Sequence, residues 1–200
     1  MRYLRNILFV YIVSKFIKNN KDIVFNDLNF RRLDFTNYRQ IKTFIFKKNF
    51  HELKNKYVQN FDFLNYSKDL GGKIGINLSK QSIIRWFYLN KNKTGYPWSD
   101  DLTSRRLVNI LYNYEFINSS SNEAETKLLN KIILIHIHRS ILNFRIKTID
   151  EVSTYDLIAN ILSFFILKKN NEKNIEFLIY VIEKQIDRLG VHKSYNILEH

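Results

Sequence analysis

Apolar positions recur at helical spacing through the second half of the chain. Ile175, Leu178, Ile179, Ile182, Ile186 and Leu189 fall on one side of a 3.6-residue turn and predict an amphipathic helix that Gly190 ends. Two more apolar runs, "KLLNKIILIHIH" and "LIANILSFFIL", each follow a pair with capping-box spacing, Ser120 with Glu123 and Thr148 with Glu151. "SIIRWFYL" predicts a helix over about Leu78 to Leu89. Ahead of it, "GGKIG" from Gly71 to Gly75 predicts a turn, since it lacks the spacing and the K-[ST] ending of a phosphate-binding loop. Phe164, Phe165 and Tyr180 stand at helical positions and are expected in the core.

The stretch "PWSDDLTSRRLVNILYNYEF" predicts a helix of unusual polarity. Leu107, Ile110, Leu111 and Tyr114 share the side that should face the core, while Arg105, Asn109 and Tyr112 line the opposite side, with Arg106 near the boundary. Ser99 or Asp100 can cap the N-terminus, and Asp100 and Asp101 complement its dipole. Arginines so close to that positive end are tolerable because Asp101 lies four residues ahead of Arg105 and can pair with it. Two readings follow. The polar side is a solvated face with an intrahelical ion pair, or it is a line that holds an anionic ligand, with arginine supplying a planar fork and Trp98 a flat surface for a sugar ring.

Residues 20 to 50 have another texture. "DIVF" and "IKTFIF" are short β-branched and aromatic runs around the polar "NFRRLDFTNYRQ", as expected of a short extended or β leader. Before them, "MRYLRNILFVYIVSKFIKNN" has an apolar stretch from Ile7 to Val13. That stretch is far short of the roughly 20 residues of a membrane span and is followed by no small-residue cleavage site, so a buried or interfacial helix is expected rather than an export signal. One proline and five glycines among 200 residues leave few breakers. The fold class expected is therefore all-α, with residues 1–50 as an apolar helix and leader and residues 51–200 as antiparallel helical hairpins in an array, toroid or bundle.

A hydrophobic content of 45% excludes general disorder, and the absence of cysteine excludes disulfides and thiolate metal sites. His136 and His138 are two apart and point in different directions on a helix, which disfavours a shared metal. A formal charge of +13 invites a polyanionic partner, either nucleic acid or an acidic polysaccharide. It equally follows from a composition flooded with Lys, Asn, Ile, Phe and Tyr.

At this point "FDFLNYSKDLGGKIGINLSKQSIIRWF" followed by "PWSDDLTSRRLVNILYNYEF" resembles the N-terminal domain of the heparinase II/III-like family. Leu70 and Gly71 stand near the end of that family's W-x-R-D-L-R-A-x-G-type segment. Trp98, Asp101, Ser104, Arg105, Arg106 and Asn109 match its tryptophan and D-(x)-x-S-R-R-x-x-N-W helix. The tail "DRLGVHKSYNILEH" is similar, through Gly190, Lys193 and Ser194, to the D-G-x-H-x-x-R-S-P segment.

The resemblance implies part of an (α/α) toroid, which in complete members precedes an antiparallel β-sandwich and binds a uronate-containing chain in the cleft between them. It implies a lyase chemistry of β-elimination: a donor neutralises the uronate carboxylate, a base removes the C5 proton and an acid protonates the leaving oxygen. Together with the polar line of the helix, which adds Tyr112, it suggests Trp98, Arg105, Arg106, Asn109 and Tyr112 as substrate-binding residues, and Asn143 and His200 as catalytic ones. In "HRSILNFR", Asn143 matches the family's asparagine, but Phe144 occupies the position of its histidine. The tyrosine of the ending falls near Glu199. The resemblance thus supports binding of an acidic polysaccharide better than it supports catalysis by known residues. A chain ending at His200 without a β-sandwich is expected to be a truncated member or a fragment.

No cofactor is implied. A periplasmic or cell-envelope location follows from the resemblance alone. Two other classes remain open: a basic nucleic-acid-binding helical protein, disfavoured because no helix-turn-helix or RNA-binding aromatic motif is found, and a non-catalytic helical interaction module.

Overall fold

Gly71 and Gly72 adopt φ values of +66° and +56°, a left-handed corner that turns the chain from one helix directly into the next. The computed structural model describes residues 56–167, 175–184 and 187. Within them a single helical turn, α1 (Lys56–Gln59), leads to α2 (Phe63–Leu70), and the glycine corner opens α3 (Gly72–Asn90). A 3-10 turn at Tyr96–Trp98 precedes α4 (Asp100–Tyr112), α5 (Tyr114–Asn118) and the 24-residue α6 (Glu123–Ile146). A second 3-10 turn, Ile149–Glu151, leads into α7 (Thr154–Ile166), and residues 175–184 are again helical. Among the described residues there is no strand, so they are all-α. None of their helices is long and apolar enough to cross a membrane.

Helix α4 is the hub. It packs most extensively against α6 and α7, which also pack on each other, and it touches α1, α2 and α5. The expected stripe of Leu107, Ile110, Leu111 and Tyr114 is buried, and it meets Ile133 and Ile137 of α6 and Leu162 of α7 in one cluster with Trp86 and Leu64. A smaller cluster joins Phe144, Val152 and Phe164 to Leu178 and Val181 of the last helix. Each fully buried aliphatic or aromatic side chain of this kind contributes about 1.5–3 kcal/mol.

Local chemistry sets the helix ends, with some departures from the expected caps. Helix α6 is capped by Asn122, not Ser120: its side chain accepts from the Glu125 amide at 2.9 Å while Glu125 accepts from the Asn122 amide. The box at Thr148 and Glu151 forms, but it caps the 3-10 turn; α7 has its own box, in which Ser153 and Asp156 bond reciprocally. Ser99 occupies the N-cap of α4 without a side-chain cap bond, and Thr103 Oγ1 donates back to the Ser99 carbonyl at 2.9 Å.

Two aromatic expectations are corrected. Phe164 is buried, whereas Phe165 is 68% exposed because it follows Phe164 by 100° of rotation and turns away from the cluster that buries Phe164. Tyr180 is exposed as well. In the last helix Leu178 and Val181 carry the burial, while Ile175 and Ile179 remain exposed. The N-terminal apolar helix, the leader near residues 20–50, and Ile186, Leu189, Gly190, Lys193, Ser194, Glu199 and His200 lie outside the described residues.

Of the "GGKIG" glycines, Gly75 has a packing role that the turn expectation missed. A β-carbon there would lie 2.2 Å from the Ser67 carbonyl oxygen, so α2 and α3 approach each other through the missing side chain. Ser67 is itself fixed by its hydroxyl, which donates to the Phe63 carbonyl at 3.0 Å. Because the obstacle is backbone, Gly75→Ala is expected to force the helices apart and lower stability by about 1–3 kcal/mol. Denaturant unfolding checks this; an unchanged midpoint contradicts the close approach.

Candidate functional site

The arginine-rich segment of α4 sends its polar groups in several directions, and each direction has a different environment. Arg106 points inward and has no exposed surface. Its Nε donates to His136 Nε2 at 3.2 Å, Nη1 to the Gln59 carbonyl at 2.6 Å and Nη2 to the Pro97 carbonyl at 2.5 Å. The guanidinium lies 4.1 Å from the Trp86 ring centroid, 5.3 Å from that of Trp98 and 5.8 Å from that of Phe61. Aromatic faces and carbonyl oxygens replace the hydration a buried cation loses.

The walls of this cage are held in turn. Trp86 Nε1 donates to Gln59 Oε1 at 2.9 Å and Trp98 Nε1 to the Asn90 carbonyl at 2.7 Å, and the two rings meet edge-on at 5.1 Å. His136 Nδ1 lies 2.9 Å from the Ile132 carbonyl, so Nδ1 carries the proton and Nε2 is free to accept from Arg106. That assignment requires a neutral imidazole. Burial, and then the Arg106 charge, hold its pKa well below the ordinary 6.5. Burial, and then the neighbouring Arg139, also lower the pKa of Arg106. It stays protonated, because a guanidinium is basic enough to keep its charge in a protein even when buried.

Asn109 also turns inward. Its Nδ2 donates to the Asn60 carbonyl and to Asp62 Oδ1, both at 2.9 Å, and Asn113 continues the ladder to Asn65 Oδ1 at 3.1 Å. The chain enters this ladder through Phe61, whose φ of +66° is costly for a residue with a β-carbon. Its ring, edge-on to Phe63 at 5.5 Å and to Trp86 at 5.3 Å, holds that corner. Ser104 leaves α4 toward α7, donating to Asp156 Oδ1 at 2.5 Å, while Lys147 donates to Asp156 Oδ2 at 2.6 Å.

Arg105 points outward. Its side chain is 26% exposed, Nε lies 3.7 Å from Asp101 Oδ1, and the guanidinium rests 4.2 Å over the ring of Tyr155. Tyr112 is half-buried nearby, and the charges of Asp62 and Asp101 reach the same phenol as Arg105 does. Burial raises the pKa of both Tyr112 and Tyr155, with Arg105 partly offsetting it for Tyr155. Both phenols are therefore hydrogen-bond donors at neutral pH rather than bases.

The five residues expected to meet a ligand, Trp98, Arg105, Arg106, Asn109 and Tyr112, are thus divided. Arg105 and Tyr112 lie at the surface, with the ion pair to Asp101 in place as the spacing predicts. Trp98, Arg106 and Asn109 are corrected to interior positions, because the segment around Asn60 and Asp62, the Tyr96–Trp98 turn and α6 cover that side of α4. Asn143 is half-buried on α6, and Phe144 beside it is sealed in the smaller cluster. His200 lies outside the described residues. Among the described residues no group of three or more His, Asp or Glu side chains could hold a metal, and His136 spends its ring on Arg106 and Ile132. Sequence reasoning missed Tyr155, Arg139 and Asp156. Only Asp156 left a signal, the S-x-x-D spacing from Ser153.

No family model, curated protein or solved structure matches this chain.

Two outcomes follow from the cage. Arg106→Lys keeps the charge but not the fork, and should cost at least ~3 kcal/mol, since carbonyls are left unbonded around a buried ammonium. Chemical denaturation measures this. Because the folded-state pKa of His136 is depressed, its contribution is present above the ordinary 6.5 and is lost as pH falls toward the folded value. Below about pH 6.5 the wild type should therefore lose up to ~1.4 kcal/mol per pH unit more than His136→Gln. Parallel stability–pH curves for the two proteins would show that His136 is not buried neutral.

Proposed function

We propose that this chain is a helical domain that binds acidic, uronate-containing polysaccharide, related to the N-terminal (α/α) toroid domains of heparinase II/III-like lyases. The observation that carries the reading is the outward cluster on α4 and α7, where the partly exposed Arg105 side chain sets its guanidinium over Tyr155, with Tyr112 nearby. An arginine fork matches a sugar carboxylate or sulfate in a planar, two-bond geometry, and neutral phenols donate to hydroxyl and ring oxygens while their faces stack on a pyranose. The contact to Asp101 is long enough, at 3.7 Å, to yield to a better-placed anion. The net charge of +13 adds a long-range attraction to the same class of ligand.

Support from the sequence resemblance falls on the same helix, although the geometry distributes the roles unequally. Arg105 and Tyr112 are assigned to ligand contact. Trp98, Arg106 and Asn109 are assigned to holding α4 in place, since their polar atoms bond within the protein. A helical ring completed by further hairpins, and a cleft shared with a β-sandwich, form part of the same proposal. Elimination is assigned to that complete assembly: Phe144 supplies no proton-transferring group where the related pattern has histidine.

Arg105→Ala is expected to weaken binding of polygalacturonate or heparin about tenfold, the loss of one charge-assisted contact, with an unchanged circular-dichroism spectrum and melting temperature. Asn109→Ala should instead lower the melting temperature. Equal binding by wild type and Arg105→Ala would remove the cluster from the ligand site. Ultraviolet-absorbing unsaturated product formed by the chain alone would overturn the assignment of elimination to a larger assembly.

A further inference from the structure

Helix α3 contains no acidic residue. From Leu70 to Ser99 the chain has Lys73, Lys80, Arg85, Lys91 and Lys93 and neither aspartate nor glutamate. Lys80 is turned inward to Glu125 at 2.7 Å. Lys73, Asn77, Gln81, Tyr88 and Lys91 are all exposed, and their spacing holds them within about 80° of one another around a helix of 3.6 residues per turn. Lys91 belongs to this line because it keeps helical angles at the C-cap, φ −52° and ψ −34°. Its Nζ lies 5.0 Å from the ring centroid of Tyr88, which is 55% exposed, and Ile74, 77% exposed, borders the line near its start. At a rise of about 1.5 Å per residue, the face from Lys73 to Lys91 is about 27 Å long.

The other side of the helix is firmly mounted. Gly75, Ser79, Ile83, Trp86 and Asn90 are buried. Gly71 alone separates α3 from α2, and α2 approaches it closely at Gly75. At the far end Trp98 Nε1 donates to the Asn90 carbonyl at 2.7 Å. Helices α2 and α3 therefore form a glycine-cornered pair that presents the second helix outward. The corner is shorter than the three or four residues of the common helix-turn-helix, so no such motif is legible in the sequence.

Cations and amides in one line on a rigid helix have duplex DNA as their complement. The major groove, about 12 Å wide, admits a helix, whereas a linear polysaccharide has no groove of that width. An asparagine or glutamine amide both donates and accepts, which matches N7 and the N6 amino group of adenine, and an exposed aliphatic side chain such as Ile74 suits a thymine methyl. Lysines at the two ends of the face suit the phosphates along the groove walls, and a tyrosine hydroxyl can also donate to a phosphate.

We propose that the outward face of α3 binds duplex DNA in the major groove, with Asn77 and Gln81 directed at adenine edges and Lys73 and Lys91 at phosphates. This surface lies on different residues from the Arg105 cluster, and the proposal goes beyond the polysaccharide reading without resting on it.

The test uses the full chain and fluorescence anisotropy with labelled duplexes of roughly 20 base pairs, two helical turns, one of A·T pairs and one of G·C pairs. A single strand of the same length and heparin are titrated separately. The expected result is binding of the A·T duplex about tenfold tighter than of the G·C duplex, a preference lowered about threefold in Asn77→Ala and in Gln81→Ala with an unchanged circular-dichroism spectrum. Lys73→Gln and Lys91→Gln should weaken both duplexes alike and each reduce the salt slope by about one. Equal affinity of the wild type for the two duplexes, or a preference that neither amide variant alters, overturns the proposal, because the overall charge then accounts for the binding. Tighter binding of the single strand overturns it as well. DNA binding that responds to Arg105→Ala and to none of the α3 variants also overturns it, and leaves the Arg105 cluster as the polyanion site. Heparin binding weakened in Arg105→Ala and kept in Gln81→Ala, alongside an A·T preference that depends on Gln81, supports two separate surfaces.

Discussion

A single buried cation organises the described part of this molecule. Placing the Arg106 guanidinium where no water reaches it is tolerable only if several acceptors and aromatic faces converge on it at once, and these come from four separate segments: Gln59, Trp86, Pro97 with Trp98, and His136. Satisfying one side chain therefore fixes the relative positions of α1, α3, the turn before α4, and α6. Hydrophobic burial supplies the larger stabilising term, but it is indifferent to small sliding motions of helix on helix. The directional bonds of Arg106, and those of Asn109 and Ser104 on either side, fix the register.

That division of labour also explains what was legible in the sequence. The longer helices were: α4, α6 and α7 stand where the apolar spacing puts them, and the inward stripe of Leu107, Ile110 and Leu111 is buried, whereas α3 begins at Gly72 inside the expected turn and the short α1, α2 and α5 left no such pattern. The fate of the polar residues was not. Helical periodicity separates an apolar side from a polar one, yet it does not reveal whether the polar side meets water or another polar segment. Asn60, Asp62 and Gln59 lie some 47 residues from their partners on α4, beyond any local pattern. The cap of α6 also shifted: Ser120 and Asn122 are both competent by residue type, and the Glu125 that pairs with Asn122 is the one Lys80 reaches from α3, a contact no local pattern shows.

The same geometry separates function from framework along one short segment. Ser104, Arg105 and Arg106 are consecutive, and the 100° step of a helix sends them to α7, to the surface and to the core. A run of residues that reads as one motif is thus three devices. Only the middle one has a charged group with solvent on one side, so only there does a change in ligand affinity separate cleanly from a change in folding.

Glu125 serves two elements at once. One of its carboxylate oxygens accepts from the Asn122 amide at the start of α6 and from Lys80 Nζ at 2.7 Å, and these bonds hold its pKa below the usual carboxylate range. The first turn of the longest described helix is consequently tied to a lysine that is itself almost completely covered. Fraying, which in an isolated helix begins at the ends and spreads inward, would here have to release α3 at the same moment. The opening turn of α6 is thereby joined to the cooperative unit of the domain instead of loosening by itself.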